Sequence, residues 1–369
     1  MNHTCVDQKG KDFEKKTTPA PCKIDLSSDW TLRRSFGANI YFTGWIRKNE
    51  ISKLIAALKK VQDPSALCGI ESQLKNLIAS LYGNFGLIIQ YGSLTLAISD
   101  RIKSKNIYYS LGESVILTDK HHVVLGQQNI TREDVNFKSL ISFTMSGYTY
   151  GNHTVARELK FIPAGALLIS SPKGTKLAIY HNYQPWKSRM HQHKTKEKLS
   201  KILCDTYLRT FEETKNELSG RQIVIPLSAG FDSRCILSGL KKVGARDIIC
   251  YSYGQKNNHE IQIAQEVSEK VSVSWIDLSS SFREKSRFFK TEIFKRYKNS
   301  FDQLISVPAV QDIMEVSILK RNNRISSDAV FINGNSGDFI SGGHIPISCD
   351  HDSHEQFSRS FFDKHYSLW

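Results

Sequence analysis

Two kinds of apolar spacing divide the chain. From residue 38 onward, the first half alternates apolar and polar positions as half-buried strands do. NIYFTGWI after Ala38 predicts a strand, and Ile51, Leu54, Ile55 and Leu58 recur at the spacing of one helix face. Residues 74–81 predict a second helix. FGLIIQYG, SLTLAISD, NIYYS, SVILTD and HHVVLG then follow at short intervals with turn residues between them, which predicts five strands of an antiparallel sheet. ALLISS and TKLAIYH flank Pro172 and Gly174, the composition of a hairpin. Upstream of Arg34 the chain is polar, with Pro19 and Pro21, and reads as a loose leader.

The second half changes period. Leu199, Ile202, Leu203, Tyr207 and Phe211 lie at helical spacing within 193–218, with lysines opposite, and predict a linker helix. Ile223, Val224 and Ile225 form the short apolar run of a buried parallel strand, and Ile236, Leu237 and Leu240 then resume helical spacing. DIICYSYG predicts a second strand, Ile261, Ala264 and Val267 a helix, and VSVSWIDL a third strand. Strands alternating with helices imply a parallel, doubly wound sheet that binds ligands at its strand C-termini. The expected fold is an α+β, antiparallel, sandwich-like N-terminal domain followed by an α/β parallel-sheet domain. The expected divisions are a leader at 1–35, domains at 36–186 and 221–369, and the linker at 187–220.

Composition narrows the function classes. The hydrophobic fraction of 40% and charged fraction of 23% are those of a globular protein. No apolar run is long enough to cross a bilayer, and the polar first residues lack a signal-peptide core. Seven cysteines without metal-type spacing suit reduced thiols in the cytoplasm. The net charge of +14 invites a nucleic-acid reading, with basic residues thickest at 187–201 and 283–298. No interleaved aromatic pattern or zinc-finger spacing is read beside them, so nucleic acid and membrane are not expected partners.

The candidate chemistry centres on IVIPLSAGFDSRCILSGL, residues 223–240. A strand, a small-residue turn and a helix start make an anion site, because unpaired backbone N–H groups and the helix dipole converge there. Gly230 lets the backbone approach an anion, and the hydroxyls of Ser228 and Ser233 can donate to phosphate oxygens. Asp232 is acidic where the backbone favours anions, and a bridging Mg2+ accounts for it. Cys235 reads as a small buried residue of the following helix rather than a nucleophile. An ordinary strand–turn–helix with a capping Asp or Ser is the plainer alternative.

The turn lacks a phosphate-loop lysine and resembles the Ser-Gly-Gly-x-Asp-Ser loop of the ATP pyrophosphatases, through Ser228, Gly230, Asp232 and Ser233, with Ala229 in place of the first glycine. The preceding domain is similar to the class II glutaminase domain of asparagine synthases. The resemblance runs through residues 83–85, Asp100, Arg101, Tyr108, Tyr109, Thr118, Asp119, Thr154, Pro163, Gly165, Tyr183 and Trp186. The family's N-terminal catalytic cysteine is absent, since the chain starts Met1-Asn2-His3-Thr4 and Cys5 would need trimming to become terminal. The family's oxyanion Asn-Gly aligns with Thr43-Gly44, whose hydroxyl cannot present an amide dipole. The resemblance therefore implies a degenerate glutaminase-like domain that does not hydrolyse glutamine.

A last signal, DAVFINGNSGDFISGGHIP, resembles the family's Ser-Gly-Glu-Gly-x-Asp-Glu-x-x-x-Gly-Gly, through Gly334, Asp338, Gly342 and Gly343. Asn335 stands where the family has Glu. The resemblance implies ATP-dependent amide formation, in which a substrate carboxylate is activated as an acyl-adenylate and pyrophosphate leaves. ATP and Mg2+ are the implied cofactors. Asp232 and Asp338 would share the metal and serve catalysis, while Ser228, Ala229, Gly230, Ser233, Tyr253, Gly254 and Gly334 would line the nucleotide. The implied partners are a small-molecule or sugar-acid carboxylate and an ammonia or amine donor; a homodimer is one open assembly. The family's later catalytic lysine has no counterpart before Trp369, so the chain is expected to be an incomplete synthetase domain. A tRNA-modifying enzyme with the same loop, and a non-catalytic nucleotide-binding relative, are the alternatives.

Overall fold

A computed structural model describes residues 20–35, 37–46, 50–59, 67–112, 114–125, 131–182, 194–256, 258–301, 304–335, 337–341, 343 and 354–366. These residues divide into two compact units. The first takes those up to 182 together with 304–307, and the second takes 194–301 with those after 307. Antiparallel sheets make up most of the first and a parallel sheet with helices the second, an α+β mixture. Among the described residues, no helix is long and apolar enough to cross a membrane.

The elements of the first unit run β1 (Ala20–Asp25), β2 (Thr31–Ser35), β3 (Ala38–Ile46), α1 (Glu50–Lys59), α2 (Leu67–Ser80), β4 (Gly83–Tyr91), β5 (Leu94–Ser99), β6 (Tyr108–Leu111), β7 (Ser114–Thr118), α3 (His121–Leu125), α4 (Phe137–Ser146), β8 (Lys160–Phe161), β9 (Ala166–Ser171) and β10 (Gly174–Ile179). Two sheets form, in the orders β10-β9-β5-β4-β3-β2 and β1-β7-β6-β8. The six-stranded sheet is apolar on both faces. Leu87, Ile89, Leu96 and Ile98 pack with Leu54 and Leu58 of α1 and Leu74 and Ile78 of α2. The alternate positions Ile88, Ala97 and Leu168 pack with Tyr109, Val115 and Leu117 of the second sheet. Period-two alternation thus feeds two separate cores.

Three expectations fail here. Residues 20–35, read as part of the leader, form strands β1 and β2. β1 pairs in parallel with β7, Ile24 opposite Leu117, a partnership across about ninety positions that no local pattern signals. That pair also makes the second sheet mixed rather than purely antiparallel. HHVVLG was expected as a strand, but His121–Leu125 is helix α3. Its neighbours Val124 and Leu125 both pack on the cluster of Tyr108, Ala156, Leu159 and Phe161, and adjacent strand residues would face opposite sides.

Residues 304–307 complete this unit. Thr149 N donates to Ile305 O (2.8 Å), Val155 N to Leu304 O (2.9 Å) and Val307 N to Gly147 O (2.8 Å). Ile305 is buried in the same cluster as Tyr108.

The second unit runs α5 (Lys196–Leu218), β11 (Ile223–Pro226), α6 (Phe231–Lys242), β12 (Ile248–Ser252), α7 (His259–Lys270), β13 (Ser274–Asp277), α8 (Phe282–Phe288), α9 (Glu292–Ser300), α10 (Ile313–Arg321), β14 (Val330–Phe331), α11 (Gly337–Ser341) and α12 (His354–Tyr366). The sheet order is β13-β12-β11-β14 and every pairing is parallel. Ile223, Ile225, Leu227 and Cys250 face a core with Leu237 and Leu240 of α6, Ala264 of α7 and Phe211 of α5. Each such large aliphatic contributes about 1.5–3 kcal/mol by burial. Val224 and Tyr251 point to the other face, against Leu319 of α10 and Phe331. Helices on both faces make the sheet doubly wound.

The amphipathic reading of α5 holds only at its C-terminal half. Phe211 is buried, but Leu199 and Leu203 are 39% and 49% exposed. The basic stretch 283–298 also carries aromatic residues that the sequence reading passed over. Phe288, Phe289, Phe294, Tyr297 and Phe301 form a chain of ring contacts through α8 and α9, centroids 4.8–6.4 Å apart.

Candidate functional site

The loop after β11 is braced from within. Leu227 N donates to Tyr251 O (2.8 Å), Ser252 Oγ to Leu227 O (2.7 Å) and Trp275 Nε1 to Ser252 Oγ (2.9 Å), which ties the ends of three strands together. The Ser228 and Ser233 hydroxyls lie 3.1 Å apart. Ser228 N donates to Ser233 Oγ (3.1 Å) and Gly230 N to Ser228 Oγ (3.1 Å). Ser233 is buried and Ser228 half-buried, so both hydroxyls act as struts of the turn. Gly230 is the N-cap of α6 and brings no side chain to satisfy the first-turn amides. Those amides open at an exposed glycine, the arrangement that receives an anion. Ala229, half-buried, completes the turn.

Asp232 occupies the first turn of α6, and the loop after β14 lies directly against it. β14 neighbours β11, with Ile223 opposite Val330 and Ile332 N donating to Val224 O (3.0 Å). A Cβ on Gly334 would stand 2.9 Å from Asp232 Cβ, and one on Gly337 only 2.0 Å from Asp232 Cγ. Real side chains do not approach so closely, so a side chain at either position would force Asp232 to shift. Asp338 follows Gly337 on α11. A Cβ on Gly343 would lie 3.1 Å from Asp338 Oδ1, and Gly343 N donates to Asp338 O (2.7 Å). The loops of two adjacent parallel strands therefore meet at Asp232 and Gly337, with Asp338 next in the chain. Gly342 lies outside the described residues.

Among the described residues, no group of three or more His, Cys, Asp or Glu gathers as a metal site. Two carboxylates suit Mg2+ all the same, because that ion is commonly held by one or two carboxylates with substrate phosphates and water supplying the rest. Asp232 and Asp338, on the two loops that meet here, are the acids the site offers.

Tyr253 and Gly254 follow β12. Tyr253 is half-buried, its hydroxyl accepts from Gln311 Nε2 (2.7 Å), and Lys285 Nζ lies 5.6 Å above its ring. Burial, then a hydrogen bond to the Asp312 carboxylate, pushes its phenol well above the ordinary range. Gly254 adopts φ +135° and accepts from Ser280 N (2.8 Å). Cys235, expected to be buried, is exposed on α6. Burial of its sulfur, then the nearby Asp232 charge, raises the thiol, so it is no activated nucleophile.

The glutaminase-like positions of the first unit have structural employment. Asp100 is 1% exposed and accepts from the N–H groups of Phe85 (2.8 Å), Ile102 (2.8 Å) and Ser104 (3.2 Å) and from the Ser104 hydroxyl. Asp119 accepts from Ser27 N (2.8 Å), the Ser27 hydroxyl and Trp30 Nε1 (3.0 Å). The Thr154 hydroxyl lies 2.8 Å from both Ala156 O and Leu159 O. Gly44 has φ +87°, and a Cβ there would meet Asn84 O at 2.1 Å. Cys5, Tyr183 and Trp186 lie outside the described residues.

Sequence reasoning missed Asp312 and Glu315, which stand with Tyr251, Tyr253 and Lys285 beyond the end of β12. Two acids three positions apart at a helix start read as ordinary first-turn residues. Only the adjoining Tyr251-Ser252-Tyr253 strand end hinted at a polar neighbourhood.

No family model and no curated protein matches the chain. Among solved structures it is similar to glutamine phosphoribosylpyrophosphate amidotransferase from B. subtilis in complex with ADP and GMP, at 10% identity over 71% of this chain and 76% of that one, with a TM-score of 0.23. A second is the allosteric regulatory enzyme of purine biosynthesis, at 11% identity over 68% of this chain and 62% of that one, with a TM-score of 0.25.

Proposed function

We propose that the chain is an ATP-dependent carbon–nitrogen ligase of the asparagine synthase kind, working without a glutaminase of its own. A substrate carboxylate oxygen attacks the α phosphorus of ATP, the bond to the leaving pyrophosphate breaks, and an acyl-adenylate forms. Ammonia or an amine then attacks the acyl carbon, loses a proton to solvent and expels AMP. The uncapped amides at the start of α6, with Gly230, would hold phosphate oxygens. Ser228 and Ser233 would keep that turn in shape rather than bind directly. Mg2+, held by Asp232 and Asp338, would neutralise charge on the departing pyrophosphate. Tyr253 and Gly254 would flank the nucleotide beyond β12, and Gly334 would border it beyond β14.

The observation that carries the reading is the close approach of the Gly337 turn to the Asp232 carboxylate, off two adjacent parallel strands. Strand C-terminal ends are where such sheets bind ligands. The test is isotope exchange between pyrophosphate and ATP in the full chain, across a panel of aliphatic, sugar-acid and amino-acid carboxylates. Exchange dependent on one carboxylate and on Mg2+ is the expected result. Absence of exchange together with absence of ATP binding overturns the reading.

One observation favours a second reading, a tRNA-modifying enzyme with the same loop. The ring chain from Phe288 to Phe301 lies among Arg283, Arg287, Lys290, Lys295 and Arg296, and aromatic residues with basic neighbours suit nucleic acid. A specific tRNA complex about 1,000-fold tighter than non-specific binding at physiological salt would favour it.

A further inference from the structure

Helices α8 and α9 differ from α5, α6, α7 and α10 in burying no residue of their own. Their exposed side chains are sorted by face. Phe282 and Phe289, the latter still helical at the C-cap, are seven positions apart, so they lie on one side of α8. They are 82% and 41% exposed. The Phe289 ring meets Phe294 of α9 at 4.8 Å, and Ile293, next in the chain, is 50% exposed. Phe282, Phe289 and Ile293 thus form one apolar edge that runs from α8 onto α9.

Basic residues flank this edge. Arg283 and Arg287, four apart, share the neighbouring face of α8, and Lys290, Lys295, Arg296 and Lys298 follow. Between 282 and 298 seven residues are basic and two acidic. Both acids are engaged locally: Glu284 accepts from Ser281 N (2.8 Å) in a capping box, and Glu292 pairs with Lys295 (2.6 Å). Arg283, Lys290 and Arg296 are exposed and have no ion-pair partner among the described residues.

An uncompensated excess of cations calls for an anionic partner. RNA, the occupant that the tRNA reading would place here, needs free ring faces on which its bases can stack. Phe288, Phe289 and Phe294 instead meet one another edge to face, at 61–68°, and Ile293 has no π-face. An apolar edge beside basic residues is what a helix lying in the headgroup zone of an anionic bilayer presents. The apolar side chains enter the acyl boundary and the cations meet the lipid headgroups. The sequence gives no apolar run that could span a bilayer, but lying on one asks only for a face.

We propose that α8 and α9 form a peripheral docking surface for an anionic lipid bilayer, with Phe282, Phe289 and Ile293 inserted and Arg283, Arg287, Lys290 and Arg296 on the headgroups.

The test is sedimentation of the full chain with sucrose-loaded vesicles, without nucleotide. At about 0.1 M NaCl, phosphatidylcholine vesicles with about 30% phosphatidylserine should bind the chain about tenfold more tightly than phosphatidylcholine alone, and about 0.5 M NaCl should release it. Phe282→Ser with Ile293→Ser leaves every charge in place and should weaken binding about tenfold. Arg283→Glu with Lys290→Glu and Arg296→Glu should weaken it about 100-fold, at about fivefold per cation lost. The replaced side chains are exposed, so the circular dichroism spectrum should be retained in both variants. The proposal is overturned if neutral vesicles bind as well, if salt has no effect, or if either folded variant binds as the parent does. Displacement of the chain from vesicles by stoichiometric tRNA at the same salt overturns it in favour of nucleic acid. A dimer that Phe282→Ser with Ile293→Ser dissolves overturns it in favour of a second copy. Vesicle binding is read without nucleotide, so its failure and the failure of pyrophosphate exchange are distinguishable.

Discussion

Asp100 in the first unit and Glu315 in the second are withdrawn from water to almost the same degree, at 1% and 2% exposure, and are treated in opposite ways. Every requirement of Asp100 is met by nearby N–H and O–H groups, and the bonds join the start of β4 to the turn after β5. Glu315 Oε1 makes no hydrogen bond and is paired with Lys285 Nζ at 3.9 Å. A buried acid with all its bonds made holds a fold together. One held by a long ion pair keeps a raised pKa, and groups of that kind gather at functional sites. The first unit therefore reads as framework, even at positions that resemble glutaminase motifs, and the second as the place where chemistry is left open.

The sharpest way to break this contrast is Asp100→Ala. It strands the buried Phe85 amide and loosens the exposed turn at Ile102 and Ser104, and the unfolding free energy should fall by roughly 2–3 kcal/mol. Urea titration measures it; a loss below about 1 kcal/mol would deny Asp100 its framework role. Next in size is Gly337→Ala in the second unit. A methyl group there collides with the Asp232 carboxylate, and an ångström of displacement at a reacting site costs about 100-fold in rate. Pyrophosphate exchange should fall by that order while the circular dichroism spectrum is retained. Coupling with Asp232→Asn should make the double variant lose less than the two singles combined. The smallest effect belongs to Glu315→Gln. Burial raises the Glu315 pKa above its ordinary 4.5, with Asp312 adding to the rise against the pull of Lys285 and a backbone hydrogen bond. The stability tied to that proton is complete below the unfolded value and fades as pH climbs through the folded one. The parent should lose stability as pH rises above 4.5, and the glutamine variant should show a flatter profile in denaturant melts. Equal slopes would mean that the carboxylate is better compensated than its contacts suggest.

The same contrast explains what could be read in advance. The turn at 228–233 and the glycine at 334 are visible because each demands small residues in a fixed order along the chain, whereas the close approach of Gly337 to Asp232 shows only in the fold. The strands of the parallel sheet are visible as apolar runs between helical periods. β1 was hidden because its partner lies far downstream, and α3 because two valines and a leucine in five residues mimic a strand. The exposed apolar stripe of α5 looked like a buried one, since periodicity reports a face and not what covers it. Asp312 and Glu315 were illegible for a different reason. Their types and spacing are ordinary for a helix start, and only the tertiary placement of Tyr251, Tyr253 and Lys285 brings them into one polar cluster.

The four residues at 304–307 carry a consequence for how the molecule is made. They supply backbone partners to residues 147, 149 and 155 and a buried isoleucine to the first unit's core. During synthesis about 120 residues of the second unit separate them from the rest of the first, roughly 6–24 s at ordinary elongation rates. Throughout that interval the nascent first unit presents an unmatched edge around residues 147–155. Its completion must wait until β11, β12 and β13, and the helices among them, have left the ribosome. The unit that begins first is the one that finishes late.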